Sequence, residues 1–326
     1  MTRVVVVTGA AGFIGSHVCR GLVETGYHVV GVDNFDPFYG RAAKERAIAP
    51  LRAAPGFCLV EGDVRDRAVM DVVLRGAHAV VHLAARAGVR ASAYAPHVYR
   101  AVNVGGSAAV LEGCRTAGVR RLVVASSSSV YGASPVPFRE ATTPPAPQSP
   151  YAKTKLAMEA LVRRHAEADH VRAIILRFFS VYGPGQRPDQ LIHQVVRAAV
   201  HGTPLERYGA AASARDHTHV RDVTRGVLAA LRHTERPGPA CVVANIGAGR
   251  AVSLDQVIRL VEGAVGRPVS QRLQDPSLWD TPVTLADLAV ARRTLGYAPR
   301  VPIERGIHDF VEWYEARHEG QCRAAS

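Results

Sequence analysis

The sequence predicts an α/β fold, a doubly wound parallel sheet followed by a smaller, mostly helical C-terminal lobe. Three observations predict it. Short apolar, β-branched runs recur from Val4 to Phe178 with helical stretches between them, the pattern of parallel strands covered on both faces. A glycine-rich turn, Gly9-Ala10-Ala11-Gly12-Phe13-Ile14-Gly15, joins the first run to the first helix. From Ser180 the regular alternation fails, and the rest reads as helices and loops.

The elements follow in order. Val4 to Thr8 is a buried strand, Ser16 to Thr25 a helix that Gly26 ends, and Tyr27 to Val32 a second strand with Asp33 at its end. Glycines at positions 9, 12 and 15 let backbone N–H groups, including those of Phe13 and Ile14, approach a pyrophosphate, and the helix N-terminus favours that anion. Asp33 suits the adenosine ribose hydroxyls and repels a 2′-phosphate, which favours NAD over NADP. The order strand, glycine turn, helix, strand, acid is that of a Rossmann-type domain.

Phe57 to Val60 is the next strand, leading to Asp63-Val64 beside the adenine. Arg67 to Arg75 is helical, and Ala79 to Leu83 is a strand followed by Ala84 and Ala85, small enough to let a cofactor lie close. His97 to Ala117 reads as one long helix, Arg121 to Ala125 as a strand running into Ser126–Ser129, and the following Pro-rich segment as a surface turn. Pro150 to His165 is a helix capped by Ser149, and Val171 to Phe178 a strand. Gln190 to His201, Arg221 to Arg232, Leu254 to Val265, Leu285 to Leu295 and Ile303 to Arg317 are helical, and Val242 to Ile246 is a last strand. Residues 1–179 form the cofactor domain, 216–246 return to it, and 180–215 with 247–326 form the second lobe.

The chain has 326 residues, 48% hydrophobic and 21% charged, and a formal net charge of +12. The arginines are scattered, without a basic run or interleaved aromatics, so nucleic acid is not the expected partner. Gly9, Gly12, Gly15 and His17 interrupt the N-terminal apolar run too early for a signal peptide, and no segment approaches a membrane span. Five widely spaced cysteines without CxxC spacing read as buried, reduced thiols of a cytoplasmic protein.

Tyr151 and Lys155 lie four apart, on one helix face. A phenol with an unperturbed pKa of about 10 is a poor base at neutral pH, and an ammonium one turn away favours the phenolate and lowers that value. Composition sharpens the point. Of 40 Lys and Arg, only Lys44, Lys153 and Lys155 are lysine. Arg serves wherever a generic charge will do, and a tunable ammonium is needed where it will not. His217 and His219 share a strand face but have no third metal ligand nearby, so no metal is expected.

With these residues in hand, the chain resembles the extended short-chain dehydrogenase/reductases that modify nucleotide sugars, and within them UDP-glucuronate 4-epimerases. The finer resemblance lies in Asp33-Asn34-Phe35, Ala87-Gly88-Val89-Arg90, Ser126 to Gly132, and Arg177 to Pro184 with Arg187-Pro188-Asp189. It implies a Ser127/Tyr151/Lys155 triad. It implies that Asn34, Leu83, Asn103 and Phe178 complete the NAD site. It also implies that Gly88, Arg90, Ser128, Ser129, Ser180 and Arg187 surround the sugar, that Arg215 touches the diphosphate, and that Asp280 contributes to the same site. A homodimer through the helices at 97–117 and 150–165 is a further implication. The chain departs from the pattern at Ala91, Ser180, Gly185-Gln186, His217, His219 and Trp279.

The chemistry implied is oxidation of a UDP-sugar at C4, presentation of the other ketone face, and return of the hydride. Related decarboxylases carry Glu at the position of Ser129, and related dehydratases carry Asp-Glu at Ser128 and Ser129. Their absence favours simple epimerisation of UDP-glucuronate to UDP-galacturonate. The competing readings are a 4-epimerase of neutral UDP-hexoses, a decarboxylase and a non-catalytic NAD-binding regulator.

Overall fold

The computed structural model describes residues 3–208, 213–275 and 281–322. The chain runs β1 (Val4–Thr8), α1 (Phe13–Glu24), β2 (His28–Asp33), α2 (Arg41–Arg52), β3 (Phe57–Glu61), α3 (Arg67–Val73), β4 (Ala79–His82), α4 (Val89–Tyr94), α5 (Pro96–Tyr99), α6 (Ser107–Ala117), β5 (Arg121–Ser127), α7 (Pro150–Ala168) and β6 (Arg172–Phe178). It continues through β7 (Ser180–Tyr182), α8 (Leu191–His201), β8 (Leu205–Tyr208), β9 (Ala214–His219), α9 (Val220–His233), β10 (Cys241–Ile246), β11 (Ala251–Ser253), α10 (Leu254–Val265), β12 (Gln271–Gln274), α11 (Ala289–Leu295) and α12 (Ile303–Cys322).

Seven parallel strands form one sheet in the order β10-β6-β5-β4-β1-β2-β3. The chain reverses its direction of winding between β1 and β4, which opens a crevice beyond their carboxyl ends. Strands such as Val4–Thr8 and Ala79–His82 are apolar along their length because helices cover both faces. One core packs α1, α9 and α11 on one face, with Val18, Leu22, Val223, Val227 and Ala291 buried. The other packs α3, α6 and α7 opposite, around Met70, Val110, Leu111, Met158 and Val162. A third core joins α8, α10 and α12 through Val195, Val257, Ile258, Ile307 and Phe310.

Five expectations change. The second lobe is mixed rather than mostly helical: β7, β9 and β11 make a three-stranded sheet, and β8 pairs with β12. These strands are only three to six residues long, too short to carry a readable period. Residues 97–117 are not one regular helix, since Arg100–Gly106 is π-helical between α5 and α6. Gly105-Gly106 weakens the helix there, and the tertiary bonds of Asn103 decide the geometry. The Pro-rich segment lies at the surface but is anchored at one point: Phe138 is fully buried and stacks on Tyr131 with ring centroids 4.7 Å apart. Phe138 also exchanges backbone bonds with Leu285 and Asp287, which holds that stretch extended and delays α11 to Ala289. Ala286, Leu288, Ala291 and Tyr297 accordingly pack into the first core rather than the second lobe. Of the cysteines, Cys19 and Cys114 are buried, but Cys58 is exposed. Among the described residues no helix is long and apolar enough to cross a membrane.

Asp216 joins the two regions. It is fully buried and accepts from the backbone N–H of Ala248 (2.6 Å), Gly249 (2.9 Å) and Ala286 (3.1 Å) and from Thr218 Oγ1 (3.2 Å). Removing it strands those donors, each costing about 1–3 kcal/mol when buried and unpaired. Asp216→Ala is therefore expected to lower stability by at least about 2 kcal/mol, checked by denaturant unfolding against the parent.

Candidate active site

The glycine turn is shaped by close backbone approach. Gly9 has φ +72°, and a Cβ there would lie 2.9 Å from the Ala84 nitrogen. A Cβ on Gly15 would lie 1.9 Å from the Gly9 oxygen. No side chain caps α1 and its first turn has no acid, so its N–H groups, from Phe13 and Ile14 onward, face the crevice. That is a cradle for a pyrophosphate. Asp33 closes its far side, 5% exposed, accepting from Ala11 N (3.0 Å), Phe35 N (2.8 Å) and Lys44 Nζ (3.0 Å). A carboxylate offers about four acceptor sites, so one remains for a ribose hydroxyl. The donor set thus fits a dinucleotide.

Asp63 receives Asn34 Nδ2 at 2.9 Å and Arg65, whose guanidinium holds its carboxyl down at about 2. Val64 is buried. Leu83 and Ala84 donate their N–H groups to Thr8, which fixes the segment through Ala85 against the sheet end. Asn103 is a brace: it accepts from Arg86 N (2.7 Å) and donates to Arg86 O and Thr154 Oγ1 (both 3.0 Å). Phe178 ends β6 nearly buried.

Helix α7 delivers the tyrosine and lysine. Ser149 caps it, accepting from Ala152 N at 3.1 Å, and Pro150 sits in its first turn. Ser92 Oγ accepts from Tyr151 N at 3.1 Å, and Tyr99 meets the Tyr151 ring edge-on at 6.3 Å. Lys155 is 4% exposed and donates to the Ala125 carbonyl at 2.9 Å.

Here the electrostatics correct the expectation. Burial raises the Tyr151 hydroxyl above its ordinary value, and a Ser127 hydrogen bond and the Arg187 charge pull it back. The Lys155 ammonium donates to the Ala125 carbonyl. Burial pushes Lys155 down to about 8, opposed by the Glu159 charge.

The serines converge on the same point. Ser127 Oγ accepts from Ser129 N (3.2 Å) and from Ser129 Oγ (2.9 Å), so Ser129 turns inward to Ser127, while Ser128 stands half-buried beside it. Ser180 starts β7, half-buried. Arg187 is largely enclosed, forks onto Asp189 at 2.9 and 2.8 Å, and lies 5.4 and 5.8 Å from the Phe38 and Tyr39 ring centres. Gly88 takes φ +117° before α4, and Arg90 lies 4.1 Å over the Tyr208 ring. Arg215 Nη1 donates to the Ala214 and Pro282 carbonyls. His217 and His219 flank the Tyr182 ring, and burial pushes both down to about 4. Asp280 and Trp279 lie outside the described residues.

Sequence reasoning missed four partners: Lys44 on Asp33, Phe38 and Tyr39 on Arg187, and Glu159 behind Lys155. Lys44 was findable, since a chain that spends Arg on every generic charge keeps Lys there.

Residues 5–247 match the model of the NAD dependent epimerase/dehydratase family. A probable UDP-glucuronate 4-epimerase of Rhizobium meliloti is 36% identical over 332 residues, covering 96% of this chain and 97% of that one. The crystal structure of UDP-glucuronic acid 4-epimerase from Bacillus cereus, with UDP-glucuronic acid and NAD, superposes with a TM-score of 0.91 at 32% identity, covering 96% and 99%. MoeE5 in complex with UDP-glucose and NAD superposes at 0.86 with 36% identity, covering 96% and 99%.

The lysine predicts a pH dependence. With its folded value near 8, Lys155 is an ammonium at pH 7 and loses that charge as pH rises through about 8. Affinity for NAD is expected to be full at pH 7 and to fall above pH 8, measured by calorimetric titration. Lys155→Met is expected to bind weakly at both pH values.

Proposed function

This chain belongs to the NAD-dependent epimerase/dehydratase family, and we propose that it interconverts UDP-glucuronate and UDP-galacturonate by epimerisation at C4, without loss of carbon dioxide. The observation that carries this reading is Arg187. It is a largely enclosed guanidinium, its side chain 12% exposed, whose charge reaches Tyr151. A planar fork of donors suits a carboxylate, and a neutral hexose has no need of it.

Tyr151 takes the proton of the C4 hydroxyl, and Ser127 hydrogen-bonds the same oxygen as it becomes a ketone. NAD, when bound, supplies the hydride acceptor at C4 and the donor on return. Lys155 binds the nicotinamide ribose and its charge favours the phenolate form of Tyr151 in the loaded site. Asp33 holds the adenosine ribose and the α1 N-terminus the pyrophosphate, with Arg215 on the sugar diphosphate.

Oxidation at C4 of a uronate gives a β-keto acid. Its carboxylate leaves as carbon dioxide when the breaking bond aligns with the carbonyl π system. Arg187, Ser128 and Ser180 hold the carboxylate out of that alignment, and positions 128 and 129 carry no acid to drive another course.

One observation favours a second reading, epimerisation of neutral UDP-hexoses: the Arg187 fork is already filled by Asp189. The two readings part at Arg187→Ala. The uronate reading expects kcat/KM for UDP-glucuronate to fall at least about tenfold further than kcat/KM for UDP-glucose, a charge-assisted bond being worth about 1.5–3 kcal/mol. NMR of the product identifies UDP-galacturonate. A UDP-pentose product, or equal effects of the variant on both sugars, contradicts this reading.

A further inference from the structure

Glu159 has no part in the chemistry set out above, yet only 1% of its surface is exposed. It lies one helical turn beyond Lys155 and two beyond Tyr151, on the same face of α7. Its Oε1 accepts from Ser126 Oγ at 2.6 Å and from Arg177 Nε at 2.9 Å, and its Oε2 accepts from Arg177 Nη2 at 2.7 Å. Ser126 and Arg177 are register partners on β5 and β6, so both side chains leave the sheet on the face that α7 covers. Arg177 is held from beyond by the Tyr131 ring, 4.7 Å from its Cζ, and Tyr131 donates to Asn245 Oδ1 at 2.8 Å. The carboxylate is therefore fixed from two neighbouring strands.

Stability alone does not account for this pair. Replacing a buried ion pair by apolar side chains of similar volume is often neutral or stabilising. Position gives a better reason. Lys155 shares its helix face with Tyr151 and Glu159, donates to the Ala125 carbonyl on β5 and lies within reach of His82 on β4, with Arg177 on β6 bound to the far side of Glu159. His82 is neutral, pushed down to about 3 by burial, and is spanned by Thr8 Oγ1 at 2.7 Å and Ser107 Oγ at 2.9 Å. Among these groups Glu159 supplies the negative charge that opposes the desolvation of Lys155.

We propose that Glu159 is a positioning residue: locked by Arg177, it keeps Lys155 in its charged form and, through Ser126, pins the end of β5 that carries Ser127. The proposal rests on the reading of Tyr151 and Lys155 as the reacting pair. It assigns the Glu159–Arg177 ion pair to the reaction rather than to the core.

The chain has only three lysines, so lysine labelled with 13C and 15N gives three side-chain Cε–Nζ signals, and Lys155→Met identifies the one that matters. The test is its pH titration in full-length protein. In Glu159→Gln/Arg177→Met, which removes both charges together, the Lys155 midpoint is expected to fall by about one pH unit or more, tenfold in the protonation equilibrium, with Lys44 and Lys153 unmoved. Glu159→Asp is expected to recover most of the difference. An unmoved Lys155 midpoint in the double variant overturns the proposal. Should that variant not fold, Glu159→Gln alone is read by the same criterion, because its amide oxygen still accepts from Ser126. The readout uses no sugar nucleotide, so a wrong substrate and a wrong role for Glu159 give different results.

Discussion

The hydrogen bond from Lys155 Nζ to the Ala125 carbonyl is the tie on which the site depends. It docks one face of α7 against the carboxyl end of β5. Tyr151, one turn earlier, is thereby set beside Ser127, and Glu159, one turn later, beside Ser126 and Arg177. Three residues at a spacing of four thus meet three positions at a strand end. The crevice between β1 and β4 brings the glycine turn and Asp33 to the same edge of the sheet. The glycine turn and Tyr151 therefore lie at the same, carboxyl edge of the sheet, where it reverses its winding.

Burial and charge pull in opposite directions throughout this region. Desolvation raises Tyr151, lowers Lys155 and leaves His82 neutral, while Arg187 and Glu159 act against it. A site this dry makes each remaining charge count for more than it would in water. It also explains why lysine appears where it does. Lys44 and Lys155 are buried, paired to Asp33 and to the β5 end, and Lys153 is exposed.

The sheet was legible because its strands are apolar end to end and its punctuation is glycine. Val4–Thr8, the Gly9–Gly15 turn and Asp33 stand in one continuous stretch, so local chemistry settles local structure there. The second lobe was less legible. Its strands, such as Ser180–Tyr182 and Ala251–Ser253, are held by partners distant in sequence, and nothing within three residues announces a pairing. The π-helical turn at Arg100–Gly106 and the burial of Phe138 are likewise tertiary effects. At the site, residue types were readable but partnerships were not. Tyr151 and Lys155 stood out by spacing, yet the direction of the Lys155 ammonium, the fork of Arg187 on Asp189 and the turn of Ser129 toward Ser127 depend on packing between elements.

The central claim is that the Tyr151 phenol carries the proton of the sugar hydroxyl. Its most direct measurement is the rate of C4 inversion by folded, NAD-loaded Tyr151→Phe protein, followed by NMR on UDP-glucuronate. General acid–base groups contribute about 10²–10⁴-fold, so a loss of at least about a hundredfold is expected, with NAD still bound. Inversion at the parent rate would contradict the claim.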